Sequence, residues 1–227
     1  MVIIMNMQDI CGKIDHTILQ PQCTWDEVKK VCEEAVKYKA ASACIPPSFV
    51  KEAALWRGAE GNDLKICTVV GFPTGYHSTE VKCFETDQVL KAGADEVDMV
   101  IRVGWVKEGK YDKVLDEIKR LRDLCHDQVL KVIIETCLLS EYEKLKMCDI
   151  VSEARADFIK TSTGFSKGGA TPEDVALLRK NVSPFVQVKA AGGIRSIADA
   201  VWMLGAGADR LGSSSLLKMI AGLEGNE

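Results

Sequence analysis

Eight short apolar segments, separated by amphipathic stretches of helical spacing, constrain the fold of this chain more than any other feature. They cover residues 13–16, 41–45, 65–70, 96–101, 131–137, 158–162, 186–190 and 210–212. They are rich in Val and Ile and mostly lack a polar residue at every second position, the pattern of strands covered on both faces in a parallel sheet. Between them, Val28, Val31, Cys32, Ala35 and Val36 form one helical stripe, and Val114, Ile118, Leu121 and Cys125 another. Thr24 with Glu27, and Ser140 with Glu143, have the spacing of capping boxes. Thr171 before Pro172 reads as a cap ahead of a first-turn proline.

A tetrapeptide recurs at alternate helix-to-strand turns: Ala92-Gly93-Ala94-Asp95, Ala154-Arg155-Ala156-Asp157 and Ala206-Gly207-Ala208-Asp209. Its small residues let a helix end pack close to the incoming strand. No linker, low-complexity segment or shift of composition divides the chain. Eight βα units in 227 residues predict an α/β fold, a single (β/α)8 barrel domain spanning 1–227. A doubly wound open sheet is the alternative, weakened because no Gly-x-Gly-x-x-Gly opens a helix near the start of the chain.

Charge and cysteine usage narrow the partners. The net charge is −4 and no Lys/Arg run forms a basic stripe, which argues against nucleic acid. No apolar stretch approaches the ~20 residues of a membrane span. The apolar residues 1–5 are too few, and lack the basic flank, for a signal peptide. Nine cysteines occur without a Cys-x-x-Cys pair, and His16, His77 and His126 are scattered, so no metal-ligand cluster is visible. Cys44, Cys67 and Cys137 fall in apolar segments and read as buried thiols of a cytoplasmic protein in a reducing compartment.

Two lysines stand out chemically. Lys160 ends Phe158-Ile159-Lys160 and Lys189 ends Val186-Gln187-Val188-Lys189, each followed by small residues and glycine. On adjacent strands of a parallel barrel, both should reach the C-terminal face, where catalytic residues gather. Two ammonium groups in one desolvated pocket disfavour each other's protonation, giving a neutral amine able to attack a carbonyl. Asp98 lies among apolar residues in Glu96-Val97-Asp98-Met99-Val100 and needs a cationic partner. It reads either as a proton shuttle or as a structural ion pair with Lys189, and Glu135 carries the same ambiguity. Lys65 and Lys131 open their segments and are expected at the opposite, structural face. Gly192-Gly193, Gly212 to Ser215, and Gly164 to Gly169 with Lys167 follow consecutive strands, where backbone N–H groups can cradle a phosphate.

These segments in order resemble the deoxyribose-phosphate aldolases, a family of class I aldolases. The resemblance runs from Ile14-Asp15-His16-Thr17 through Thr68-Val69-Val70-Gly71-Phe72-Pro73, Glu96-Val97-Asp98-Met99-Val100-Ile101, Lys131-Val132-Ile133-Ile134-Glu135-Thr136-Cys137 and Phe158-Ile159-Lys160-Thr161-Ser162-Thr163-Gly164, to Lys189-Ala190-Ala191-Gly192-Gly193-Ile194-Arg195 and Gly212 to Ser215. It implies a (β/α)8 barrel that uses an imine to cleave 2-deoxy-D-ribose 5-phosphate reversibly to D-glyceraldehyde 3-phosphate and acetaldehyde. By position, Lys160 corresponds to the imine lysine, Lys189 to the lysine that keeps it neutral, and Asp98 to the proton relay. Gly192, Gly193, Ser214 and Ser215 correspond to phosphate contacts, and Asp15 and Thr17 to the sugar site; Gly164 and Lys167 are expected to add contacts from the glycine loop itself. The resemblance calls for no cofactor and no metal, for phosphosugar and aldehyde as the small-molecule partners, and for a homodimer. The chain departs from the pattern at Arg102, Pro46 and Lys167. A Schiff-base barrel for another phosphosugar, such as a transaldolase-like enzyme, and a phosphosugar-binding barrel without turnover stay open.

Overall fold

Each strand pairs in parallel with the next, and the last pairs with the first, so the sheet has no edge. The structure, a computed structural model, describes residues 6–224; residues 1–5, read above as too short for a leader, lie outside the described residues. The strands are β1 (Ile14–Thr17), β2 (Ser42–Ile45), β3 (Ile66–Val70), β4 (Glu96–Val100), β5 (Val129–Ile133), β6 (Phe158–Lys160), β7 (Gln187–Ala191) and β8 (Arg210–Ser213). The helices are α1 (Met7–Cys11), α2 (Trp25–Lys37), α3 (Val50–Glu60), α4 (Thr79–Ala92), α5 (Val103–Lys107), α6 (Tyr111–Cys125), α7 (Glu141–Glu153), α8 (Pro172–Asn181), α9 (Ile197–Gly205) and α10 (Leu216–Glu224). The closed (β/α)8 barrel expected from the alternation is therefore the architecture, and the open sheet is excluded.

Both capping boxes form, with reciprocal Thr24–Glu27 and Ser140–Glu143 bonds opening α2 and α7. The α2 stripe buries Val28, Val31, Cys32 and Ala35 against the sheet, while Val36 reaches the surface. The main apolar core lies between sheet and helices; a small second cluster, Cys44, Cys67 and Val69, lies apart with Leu19 and Phe72 against it. Much of the barrel's remaining interior is charged.

The recurring tetrapeptide has a mechanical role at the N-terminal end of the barrel. In each copy the aspartate accepts a hydrogen bond from the preceding strand: Asp95 from Ile66 N (2.9 Å), Asp157 from Leu130 N (2.7 Å) and Asp209 from Val188 N (2.8 Å). Each aspartate also pairs with an arginine of a preceding helix, Arg57, Arg122 and Arg179 respectively. The clamps join β3 to β4, β5 to β6 and β7 to β8, fixing register from below. Lys65, at the start of β3, points outward near Asp95, on the structural face as expected.

In two strands a boundary moves by two residues or more, and one of them matters. β5 begins at Val129, two residues earlier than the apolar run suggests, and ends at Ile133. Beyond it the chain still pairs with the neighbouring segment through Ile134 N to Lys160 O and Thr136 N to Thr161 O. Glu135 then takes a left-handed φ of 55° and turns the chain, so Cys137 lies in a short 3-10 turn rather than in a strand. Lys131 is thus the middle residue of β5, not its first, and it does not lie at the opposite face. It is fully buried inside the barrel. β6 likewise stops at Lys160, short of the expected 162.

The second residue of each tetrapeptide has a positive φ: Gly93 at 111°, Gly207 at 107° and Arg155 at 55°. A non-glycine residue there carries backbone strain of about 1 kcal/mol. Arg155→Gly is therefore expected to stabilise the fold by up to about 0.6 kcal/mol after the unfolded chain's added entropy is allowed for. Differential scanning calorimetry should show a rise in Tm of about 2–4 °C per kcal/mol at this chain length.

Candidate active site

Asp98, in the middle of β4, is the hub of the interior. Its Oδ2 is 2.7 Å from Lys160 Nζ on β6 and 2.7 Å from Lys189 Nζ on β7. Its Oδ1 is 2.8 Å from Lys131 Nζ on β5 and accepts the Cys67 thiol of β3 at 3.2 Å. Strand alternation explains the convergence. Lys160 and Lys189 are direct partners across the β6/β7 ladder, and Asp98 and Lys131 across β4/β5, so all four face inward. A second carboxylate, Asp15 on β1, pairs with Lys189 and with Arg210 of β8, and accepts Ser42 Oγ at 2.7 Å. Glu96, one inward position below Asp98, pairs with Lys131 (2.6 Å) and Arg210 (3.2 Å).

The charges hold one another ionised despite burial. Burial alone would raise the Asp98 carboxyl, but the charges of Lys131, Lys160 and Lys189 outweigh it and keep it well below the usual carboxylate range. Burial would lower the Lys189 ammonium, and Asp15 and Asp98 instead raise it above its ordinary value. Lys131 is raised for the same reason, against burial, mainly by Asp98. Lys189 and Lys131 are thus fixed cations. Asp98 is at once the ion-pair partner of Lys189 and a carboxylate 2.7 Å from Lys160.

Lys160 differs from the other interior lysines in its outlook. It lines a cavity of about 300 Å³ at the C-terminal mouth, whereas Lys131 and Lys189 do not. Thr17, Gly164, Gly192, Gly193, Ser214 and Ser215 line the same cavity, so six of the expected binding residues meet there. Asp15 does not line it: its side chain is fully buried and engaged by Lys189, Arg210 and Ser42. Asp15 lies below the cavity floor, while Thr17, two residues on along the same inward face of β1, reaches the wall. Lys167 is also absent from the wall; it is exposed on the loop after β6. The departures at Arg102 and Pro46 lie outside the wall as well, and Arg102 stacks on the Trp105 ring at 4.8 Å.

The cradle is built by close backbone approach. Gly192 and Gly193 have φ of 81° and 78°. A Cβ on Gly169 would fall 2.3 Å from the Gly192 carbonyl oxygen, and Ala170 N donates to that oxygen at 3.0 Å. The loop after β6 is therefore seated on the turn after β7. Ser213 Oγ accepts the N–H groups of Ser215 and Leu216 at the start of α10. The N-terminus of α10 with the Gly192-Gly193 turn supplies the donors that an anionic group needs. Glu135 stands behind Thr163 of this wall, accepting its hydroxyl at 2.5 Å, and burial raises the Glu135 carboxyl.

Three residues escaped the sequence reading. Lys131 was placed at the wrong end because the strand start was misjudged. Arg210 opens β8 and reads as a surface charge until the barrel closes. Arg195, on the cavity wall, was visible only as part of Gly-Gly-Ile-Arg. Among the described residues, two sets of donors, Cys44 with Cys67 and Asp98, and Asp15 with Cys67 and Glu96, come within metal-binding range of one another. Lys131 Nζ already stands against Glu96, Asp98 and Cys67 (3.3 Å), so an ammonium holds the position a cation would take.

Residues 10–222 match the family described as DeoC/LacD family aldolase. The chain is 50% identical over 214 residues to the deoxyribose-phosphate aldolase of Clostridioides difficile (strain 630), covering 94% of this chain and 96% of that one. It is 48% identical over 220 residues to the deoxyribose-phosphate aldolase of Clostridium botulinum (strain Eklund 17B / Type B), covering 97% and 98%. Its structure is similar to the tetrameric deoxyribose phosphate aldolase of Aeropyrum pernix, with a TM-score of 0.87 and 35% identity over 95% of this chain and 92% of that one.

The seating of Gly169 against Gly192 can be tested directly. Gly169→Ala is expected to displace the loop and weaken binding of inorganic phosphate by about tenfold, some 1.4 kcal/mol. Isothermal titration of the two proteins measures the difference, and equal affinities would show that the cradle does not depend on this contact.

Proposed function

We propose that this chain, which belongs to the DeoC/LacD family aldolases, cleaves 2-deoxy-D-ribose 5-phosphate reversibly to D-glyceraldehyde 3-phosphate and acetaldehyde through an imine on Lys160. It is an aldolase, a carbon–carbon lyase, and its activity is on deoxyribose phosphate. The observation that carries the finer reading is the pair of amines, Lys160 and Lys189, each 2.7 Å from one oxygen of Asp98, with Lys160 alone of the two on the cavity wall.

Charge balance supports Lys160 as the nucleophile. The linked ion-pair network sets four basic side chains, Lys131, Lys160, Lys189 and Arg210, against three carboxylates, Asp15, Glu96 and Asp98, while Glu135, whose carboxyl burial raises, bonds Thr163 outside it. The cluster reaches neutrality when one basic group gives up its proton. Arg210 is held by Asp15 and Glu96, and Lys131 and Lys189 are fixed cations, which leaves the amine at the cavity.

In the proposed reaction the free Lys160 amine attacks the C1 aldehyde of the open-chain sugar, and loss of water gives a protonated imine. A water held at Asp98 and Lys189 takes the proton of the C3 hydroxyl. The C2–C3 bond breaks, its electron pair passing into the imine to leave an enamine on Lys160, and C3 becomes the aldehyde of glyceraldehyde 3-phosphate. Protonation of the enamine at C2 and addition of water release acetaldehyde and regenerate the amine, so the water lost on entry is returned. The sugar phosphate sits in the cradle of Gly192, Gly193, Ser214 and Ser215, which sets its register against Lys160. The same reading has the enzyme acting in the cytoplasm as a single barrel domain, 1–227, assembled as a homodimer. The Aeropyrum pernix relative is tetrameric, so light scattering should be read for two subunits against four.

Incubation with 2-deoxyribose 5-phosphate, reduction by borohydride and peptide mass spectrometry should find an ethyl group on Lys160. Lys160→Met should lose the adduct and about 10^3-fold or more in kcat. An adduct on Lys189 instead would reverse the assignment, and turnover without any adduct would remove the imine.

A further inference from the structure

We propose that Lys131 is a positioning residue: it fixes the Asp98 carboxylate from behind and so leaves Lys160 free to shed its proton. The proposal rests on the aldolase reading above. It concerns a side chain that cannot touch substrate, because Lys131 is fully buried and forms no part of the cavity wall.

The geometry divides the two oxygens of Asp98 between different tasks. Oδ1 is occupied from below by Lys131 Nζ (2.8 Å) and the Cys67 thiol (3.2 Å). Oδ2 is thereby turned toward the mouth, where it meets Lys160 and Lys189. Lys131 is itself held from several sides, by Glu96 at 2.6 Å, Asp15 at 3.7 Å and the Phe158 ring at 5.9 Å. Its ammonium cannot swing away without leaving Glu96 only its longer contact with Arg210. With Lys131 neutral, the carboxylate would have two ammonium partners in place of three, and Lys160 would become half of its counter-charge.

The remaining charged and titratable groups around this centre do not replace Lys131. Lys189 of β7 is shared with Asp15 of β1, and Arg210 of β8 is spent on Asp15 and Glu96. Cys67 of β3 is uncharged, its thiol raised first by burial. Cys44 of β2 faces Lys160 and Lys189, and its thiol is lowered chiefly by its hydrogen bond with Cys67. Glu135, after β5, also faces Lys160 and adds to the pull on its proton when ionised. Lys131 and Lys189 are therefore the two fixed cations that offset Asp98 at Lys160, and Lys131 is the one not needed for any step at the mouth.

The sign follows from Coulomb's law. Removing a cation that lies against Asp98 lets the carboxylate hold the Lys160 ammonium more tightly, so the free amine appears at higher pH. The test is the pH profile of kcat/KM for cleavage of 2-deoxyribose 5-phosphate by the full chain, Lys131→Met and the double variant Lys131→Met/Glu96→Gln. The double variant removes the buried pair together and guards against loss of folding through a stranded carboxylate. In Lys131→Met the acid limb should move up by about one pH unit, and in the double variant, which also removes a carboxylate, it should move the same way by less. Activity at pH 7 should then fall about tenfold and recover near pH 9, with KM changed less than about twofold because the cradle is untouched. A uniform loss at every pH, or a limb that stays in place, would overturn the proposal. So would failure of both variants to fold by circular dichroism, which would mark Lys131 as structural only. If the unaltered protein itself gives neither turnover nor a borohydride adduct, it is the aldolase reading that fails.

Discussion

A carboxylate buried at the centre of a barrel cannot stand without cations, and the structure is organised around that requirement. Asp98 is fully buried, and an isolated charge there would be far costlier than the fold could sustain. Lys131, Lys160 and Lys189 meet it from three consecutive strands, and Asp15, Glu96 and Arg210 extend the network to β1 and β8. The barrel interior is therefore an ionic lattice in which each member's protonation depends on its neighbours. Replacing one member by an apolar residue exposes its partner rather than simply removing a contact. The apolar core is displaced outward, between sheet and helices, where it can stabilise the fold without touching the chemistry.

The two ends of the barrel divide the remaining work. At the N-terminal end, three Arg–Asp clamps lock strands in pairs. At the C-terminal end the chain avoids side chains where backbones must meet, as at Gly169 on Gly192, and beside Lys189, where a Cβ on Gly212 would crowd the lysine's Cε at 3.3 Å. Reactive amines are fixed by strands, and the anion cradle by loops that rest on one another. In the proposed reaction that combination holds the sugar's carbonyl near Lys160 while leaving the mouth open.

Much of this was legible along the chain because it depends on local periodicity. The strand count, both capping boxes, the glycine turns and the convergence of Lys160 with Lys189 all follow from two-residue and 3.6-residue spacing. Lys131 was not legible, since its role turned on where β5 begins, and Val129-Leu130 at the end of a polar turn gave no sharp boundary. Asp15 and Thr17 show the same limit at finer scale. Both sit near the end of β1, yet one is sealed into the ionic network and the other lies on the cavity wall.

By itself the sequence determined the alternation, the fold class, and which side chains face inward, since each is a property of neighbours a few residues apart. Closure of the sheet decided the rest. Asp15 and Arg210 are 195 residues apart and meet only because β8 pairs with β1. Asp98 also gathers Lys131, from a strand whose start the linear reading misplaced. Which amines are locked among several carboxylates and which one borders the cavity follows from how the strands bring them together. Both are set by the three-dimensional packing of charges, on which no residue's own position in the chain carries information.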